Sequence, residues 1–127
     1  MKILIAETDP NIRYGLTILS EQVADRIITD EATNSQELLG CVCASCPDVL
    51  LISRVFPGFD EGNILVDLQR ICPSLIIIVM TVNLPGKVIE MPAHIESNIE
   101  VIQKPEQLFD LLKRIQGAHQ PGNIEKK

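Results

Sequence analysis

Three short aliphatic runs, Lys2–Ala6, Asp48–Ile52 and Leu75–Thr81, alternate with segments of helical periodicity, and this alternation constrains the fold more than any other feature of the chain. Each run is short enough to be a strand and apolar enough to be buried on both faces. Weaker candidates at Arg26–Thr29 and Glu100–Gln103 belong nearer the edges of a sheet. Between them, Asp9 followed by Pro10 reads as an N-cap with proline at the first helical position, ahead of Ile12, Leu16 and Leu19. Asn34 and Glu37 form a pair resembling a capping box, with Leu38, Val42 and Cys41 on the inner face that follows. Asp60 can cap a third helix carrying Ile64, Leu65, Leu68 and Ile71, and Pro105 can start a last one with Leu108, Phe109, Leu112 and Ile115 facing inward. Pro85, Gly86 and Pro92 oppose a long helix between Asn83 and Asn98, so a short or irregular helix around Lys87–Met91 is expected there.

Strands alternating with helices imply right-handed crossovers and a parallel sheet covered on both faces. The expected fold is α/β, a doubly wound, flavodoxin-like three-layer sandwich of about five parallel strands in the order 2-1-3-4-5. A length of 127 residues suits one domain. Residues 1–116 are expected to form it, and residues 117–127, polar and containing Pro121 and Gly122, a flexible tail or linker. Hydrophobic residues make up 46% and aromatics only 3%, so the core must be built from Ile, Leu and Val, a bias that favours buried parallel strands.

A net charge of -6 argues against grip on a phosphate backbone or an anionic lipid surface, both of which need clustered Lys and Arg. The expectation is therefore no nucleic acid and no membrane as partner of this domain. The longest apolar run, Leu75–Met80, is far too short to cross a bilayer. Only four apolar residues follow Lys2 before Glu7, which is not a secretory pattern. The chain is thus expected in the cytoplasm, with its four cysteines as reduced thiols. Cys41, Cys43, Cys46 and the more distant Cys72 have spacings at which thiolates can hold zinc, but Cys41 and Cys43 point to different faces of a helix. Cys46 and Cys72 each precede a proline, which suggests similar packing roles for the two. Packing as small hydrophobes is the preferred reading, and a thiol-based metal or redox protein is the alternative of another class.

In a doubly wound sheet, sites lie beyond the carboxyl ends of the strands. That rule selects Glu7, Thr8, Ser53, Thr81 and Lys104. A lysine near a carboxylate and two hydroxyls can bind an anion or simply pair with Glu7. No glycine-rich phosphate loop follows the first run, so flavin- or dinucleotide-binding relatives of this architecture are poorly supported.

The stretch from Ile3 to Arg13 (ILIAETDPNIR) resembles the opening of response-regulator receiver domains, the CheY-like family. Glu31–Glu37 resembles their second-strand exit, and Pro47–Ser53 with Pro57-Gly58-Phe59-Asp60 resembles the strand and loop around their phosphorylation site. Val79-Met80-Thr81 and Lys104-Pro105 resemble their switch hydroxyl and their lysine. The pieces run in order from about Lys2 to Ile115, most of the chain, and their order carries more weight than any single piece.

What the resemblance implies is a degenerate site. Where the family has an acidic pair that holds Mg²⁺, this chain has Glu7 and then Thr8; where it has the phosphoaccepting aspartate, this chain has Ser53. The third protein ligand would be the backbone carbonyl of Val55. Thr81 and Lys104 match, whereas bulky Val82 follows the switch hydroxyl and Val101 replaces the aromatic switch partner. A serine hydroxyl is a poor nucleophile without a general base, and Glu7 is the only candidate. Mg²⁺ requires carboxylate oxygens, so its binding is expected to be weak or absent, with no cofactor and no catalysis.

The resemblance further implies a partner-binding face from the family's fourth and fifth helices and last strand, here Lys87, Glu90, Val101, Gln107, Asp110 and Leu111. The expected function is a two-component, phosphorelay-type signalling domain that is not phosphorylated at Ser53 and acts by protein–protein interaction. Its partner would be an effector domain, a kinase or a second copy. The runner-up is a working response regulator switched by another input at the same pocket.

Overall fold

The computed structural model describes residues 1–59, 64–81, 99–102 and 105–119. Within them the chain alternates as the apolar pattern predicts: β1 (Lys2–Ala6), α1 (Pro10–Glu21), β2 (Ile28–Ala32), α2 (Ser35–Ser45), β3 (Val49–Ser53), α3 (Ile64–Ile71), β4 (Ile76–Met80), β5 (Ile99–Ile102) and α4 (Pro105–His119). The described strands form one sheet in the order β2-β1-β3-β4-β5, and each pairing is parallel. This is the flavodoxin-like, doubly wound arrangement expected from the sequence.

Period-two alternation along buried strands divides the core into two layers. Leu4, Ala6, Leu50, Ile52, Ile77 and Val79 point to one face, where Leu38 and Val42 of α2 and Leu65 and Leu68 of α3 cover them. Ile3, Ile5, Val49, Leu51, Ile78 and Met80 point to the other, against Leu16 and Leu19 of α1 and Leu108, Leu111 and Leu112 of α4. β3, at the centre, is buried throughout, which is why Val49–Ile52 is an unbroken apolar run ahead of Ser53 at its tip.

The weaker strand signals shift slightly. β2 begins at Ile28, two residues beyond the expected start at Arg26, and extends to Ala32. It is an edge strand whose outer positions are Asp30 and Glu31, so its polar half hides the pattern. β5, the other edge, starts at Ile99, one residue earlier than expected.

Helical phase corrects two inward assignments and one outward one. Ile71 is 40% exposed, and Cys72, four residues after Leu68, takes the buried position instead. In α4 the buried set is Leu108, Leu111 and Leu112; Phe109 is half-buried under the ammonium of Lys113, 5.3 Å from its ring centre. Leu111, expected on the partner-binding face, is therefore a core residue. The expected cap at Asp60 and the short helix around Lys87–Met91 lie outside the described residues.

The cysteine expectation is also corrected. Cys46 and Cys72 are joined by a disulfide with their Cα atoms 5.8 Å apart, leaving Cys41 and Cys43 free. The cause is tertiary: α2 and α3 lie side by side on one sheet face, so their proline-terminated ends meet within bonding reach. No described helix is long and apolar enough to cross a membrane.

Candidate functional site at the strand ends

The register places three site residues together. Ala6 pairs with Ile52, and Ser53 pairs with Met80, so the next positions, Glu7, Ser53 and Thr81, cluster where β1, β3 and β4 end. All three are buried, at 3%, 5% and 6% exposure, whereas Thr8 is exposed.

Glu7 is held by local geometry. Its backbone N–H donates to Ala32 O at 3.3 Å, continuing the β1–β2 ladder past the strand. The Asp9 N–H donates to its carboxylate at 2.9 Å. Asp9 in turn caps α1, accepting from Asn11 N–H at 2.9 Å and Ile12 N–H at 3.3 Å. Arg13, one turn into that helix, donates to the carbonyls of Glu7 and Thr8 at 2.9 and 3.3 Å, and its Nε pairs with Glu31 at 3.0 Å. Arg13 is thus a positioning residue that pattern reading passed over; the only sequence signal was a cation at a fixed offset behind the N-cap.

Ser53 sits at the tip of the central strand, and its hydroxyl oxygen accepts from the Val55 N–H at 3.3 Å. The loop behind it is tight. Phe56 N–H donates to Ser53 O, and Phe59 N–H to Phe56 O. Gly58 takes a φ of 88°, a conformation that favours glycine, and Ser35 Oγ donates to Pro57 O at 2.9 Å, tying the loop to the start of α2. The guanidinium of Arg54 lies 4.6 Å above the Phe59 ring.

Thr81 turns its hydroxyl onto the neighbouring strand. Both its Oγ1 and its backbone N–H donate to Ile102 O, at 3.1 and 3.0 Å. Lys104, Lys87 and Glu90 lie outside the described residues. Of the expected partner face, Val101 is 41% exposed and Gln107 and Asp110 are exposed.

Glu7 is the one buried carboxylate among the described residues, and among them no three His, Cys, Asp or Glu side chains converge on a metal position. The perturbed titrations lie elsewhere. Glu37, opening α2, has its carboxyl held below the usual range by the backbone N–H and hydroxyl of Thr33. Burial raises the Cys41 thiol above its ordinary value, with Asp30 and Glu37 adding to the effect and Lys2 opposing it.

No protein-family model matches the sequence, and no curated protein does. Solved structures do match. A two-component response regulator from Clostridium difficile superposes with a TM-score of 0.70 at 20% identity, over 97% of this chain and 98% of its own. The signal receiver domain of a DNA-binding response regulator from Colwellia psychrerythraea 34H gives 0.68 at 18% identity, over 94% and 99%. RcsB from Salmonella enterica serovar Typhimurium, solved on the promoter rprA in the presence of phosphomimetic BeF3-, gives 0.56 at 27% identity over 66% of this chain; the match spans only 43% of RcsB. The fold is that of receiver domains.

Proposed function

We propose that this chain is a receiver-like signalling domain of two-component type that is not phosphorylated by the aspartyl route and works by binding a protein partner. The observation that carries the reading is Ser53: a buried hydroxyl, already accepting from Val55 N–H, at the tip of the central strand, with Glu7 as the buried carboxylate at the end of the neighbouring strand. Phosphoryl transfer from phosphohistidine needs an ionised carboxylate as nucleophile, and a serine without a base is a poor substitute.

The donor set does not fit Mg²⁺. A hard divalent ion needs several oxygen ligands, carboxylates foremost. Glu7 offers one carboxylate, itself engaged by Asp9 N–H, and Thr8 offers an exposed hydroxyl where the family has an acid. Without the ion, the charge of a transferring phosphoryl group goes unneutralised. The acidic net charge of -6 disfavours nucleic acid as the direct partner and suits a basic protein surface. The exposed side chains of Val101, Gln107 and Asp110, on β5 and α4, are the described part of the docking face. The partner is an effector domain, a kinase or a second copy.

The test is incubation with phosphoramidate and Mg²⁺, followed by intact-mass measurement, alongside a beryllofluoride titration monitored at Thr81 by NMR. The proposal expects no mass increase and no Mg²⁺-dependent change at Thr81. A metal-dependent covalent phosphate would overturn it in favour of a working regulator.

A further inference from the structure

The cysteines play no part in that reading, yet three of them are arranged for chemistry. Cys46 ends α2 as its C-cap, is exposed, and takes a φ of 42°, the left-handed region that a non-glycine residue rarely occupies. Its disulfide partner Cys72 is buried at 2% exposure just beyond α3, so one sulfur of the bond belongs to a solvent-facing residue and the other to a core residue. Cys43 is free and exposed, one helical turn before Cys46, in the order Cys43-Ala44-Ser45-Cys46. The left-handed cap takes Cys46 out of the helical register, but only two residues separate it from Cys43, the Cys-X-X-Cys spacing at which thiols exchange.

We propose that Cys43, Cys46 and Cys72 form a thiol–disulfide exchange site with two mutually exclusive pairings, Cys46–Cys72 and Cys43–Cys46. The Cys43 thiolate, having lost its proton to solvent, attacks the Sγ of Cys46. The Cys43–Cys46 bond forms as the Cys46–Cys72 bond breaks, and Cys72 leaves as a thiolate that takes up a proton. The disulfide count is unchanged, so no oxidant or reductant is consumed. In the first pairing α2 and α3 are stapled; in the second only packing holds them. Cys41 is excluded as the attacking thiol: it lies five residues before Cys46 on another side of α2 and is packed against the core. Because α3 follows the loop behind Ser53, the exchange bears on an element bordering the site without using any of its residues.

The test uses the full chain in a mildly alkaline glutathione buffer, quenched in acid, alkylated with N-ethylmaleimide and digested without reduction. Wild type should yield both the Cys46–Cys72 and the Cys43–Cys46 cross-linked peptides. Cys72 should become alkylated at least about tenfold faster than in Cys43→Ser, since an intramolecular thiol acts at high effective concentration. Cys41→Ser should behave as wild type, and circular dichroism should show both variants folded, as expected for substitutions at an exposed and a half-exposed position. Equal Cys72 release in wild type and Cys43→Ser overturns the proposal. So does the absence of a Cys43–Cys46 peptide, or a requirement for Cys41 in place of Cys43.

Discussion

Opening the Cys46–Cys72 bond should remove a large part of the chain's stability. The two residues are 26 apart, and closing a loop of that length in the unfolded chain is worth about 3.5 kcal/mol in the chain-entropy treatment. A small domain has only about 5–15 kcal/mol in total. Cys46→Ser is the cleanest perturbation, because the replaced side chain is exposed and Cys72 remains in place as a small buried hydrophobe. Urea unfolding, followed by far-ultraviolet circular dichroism without reductant, should show the free energy falling by about 3–4 kcal/mol. The denaturant slope should rise, because an unstapled unfolded chain exposes more surface. Cys46→Gly loses the same bond but relieves the left-handed cap at φ 42°, and should be about 1 kcal/mol more stable than the serine variant. A serine variant within about 1 kcal/mol of wild type would refute the loop-closure reasoning, that amount being less than a third of the expected effect.

Three further outcomes follow from the glycines, Thr81 and Glu37. Gly58→Ala should cost about 1–2 kcal/mol in thermal denaturation, since φ is 88° and a Cβ there would collide with Ser35 Oγ. Gly15→Ala and Gly40→Ala, helical positions with open space around a new Cβ, should instead each add about 0.5–1 kcal/mol. Thr81→Val should cost only about 0.5–1 kcal/mol by the same measurement, because Ile102 O keeps the backbone N–H of Thr81 as a donor. The Glu37 carboxyl titrates below its ordinary value in the folded chain, so its contribution to stability is complete above the usual glutamate range and fades as pH falls through the lowered one. Glu37→Gln should flatten that portion of an acid-denaturation profile while leaving α2 capped by Asn34.

Legibility in the sequence tracked burial. The strongest strand signals were β1, β3 and β4, the three inner strands, because a strand buried on both faces is apolar at nearly every interior position. The edges β2 and β5 were placed with shifted bounds, since half of an edge strand is free to be polar. Caps were equally readable: Asp9 and Asn34 accept from the N–H groups expected of N-caps, a local interaction that needs no tertiary partner. Glu7, Ser53 and Thr81 could be named because a doubly wound sheet puts its site at strand ends. Arg13 could not, because its role depends on the carbonyls of Glu7 and Thr8 and on Glu31, which folding alone brings within its reach.

The order of apolar and polar residues was sufficient, by itself, to set the parallel sheet, its two faces and the strand ends at which side chains gather. It also placed a hydroxyl at the tip of the central strand, where the resembling family carries an acid. Folding alone decided which cysteines bond. Cys46 and Cys72 look like two unrelated helix-end residues until α2 and α3 lie side by side. Helix phase likewise decided that Leu111 and Cys72, not Phe109 and Ile71, enter the core. The reason is one of range: periodicity and capping act within a few residues and leave a pattern in the chain. Pairing between distant residues depends on distances that exist only once the layers have packed.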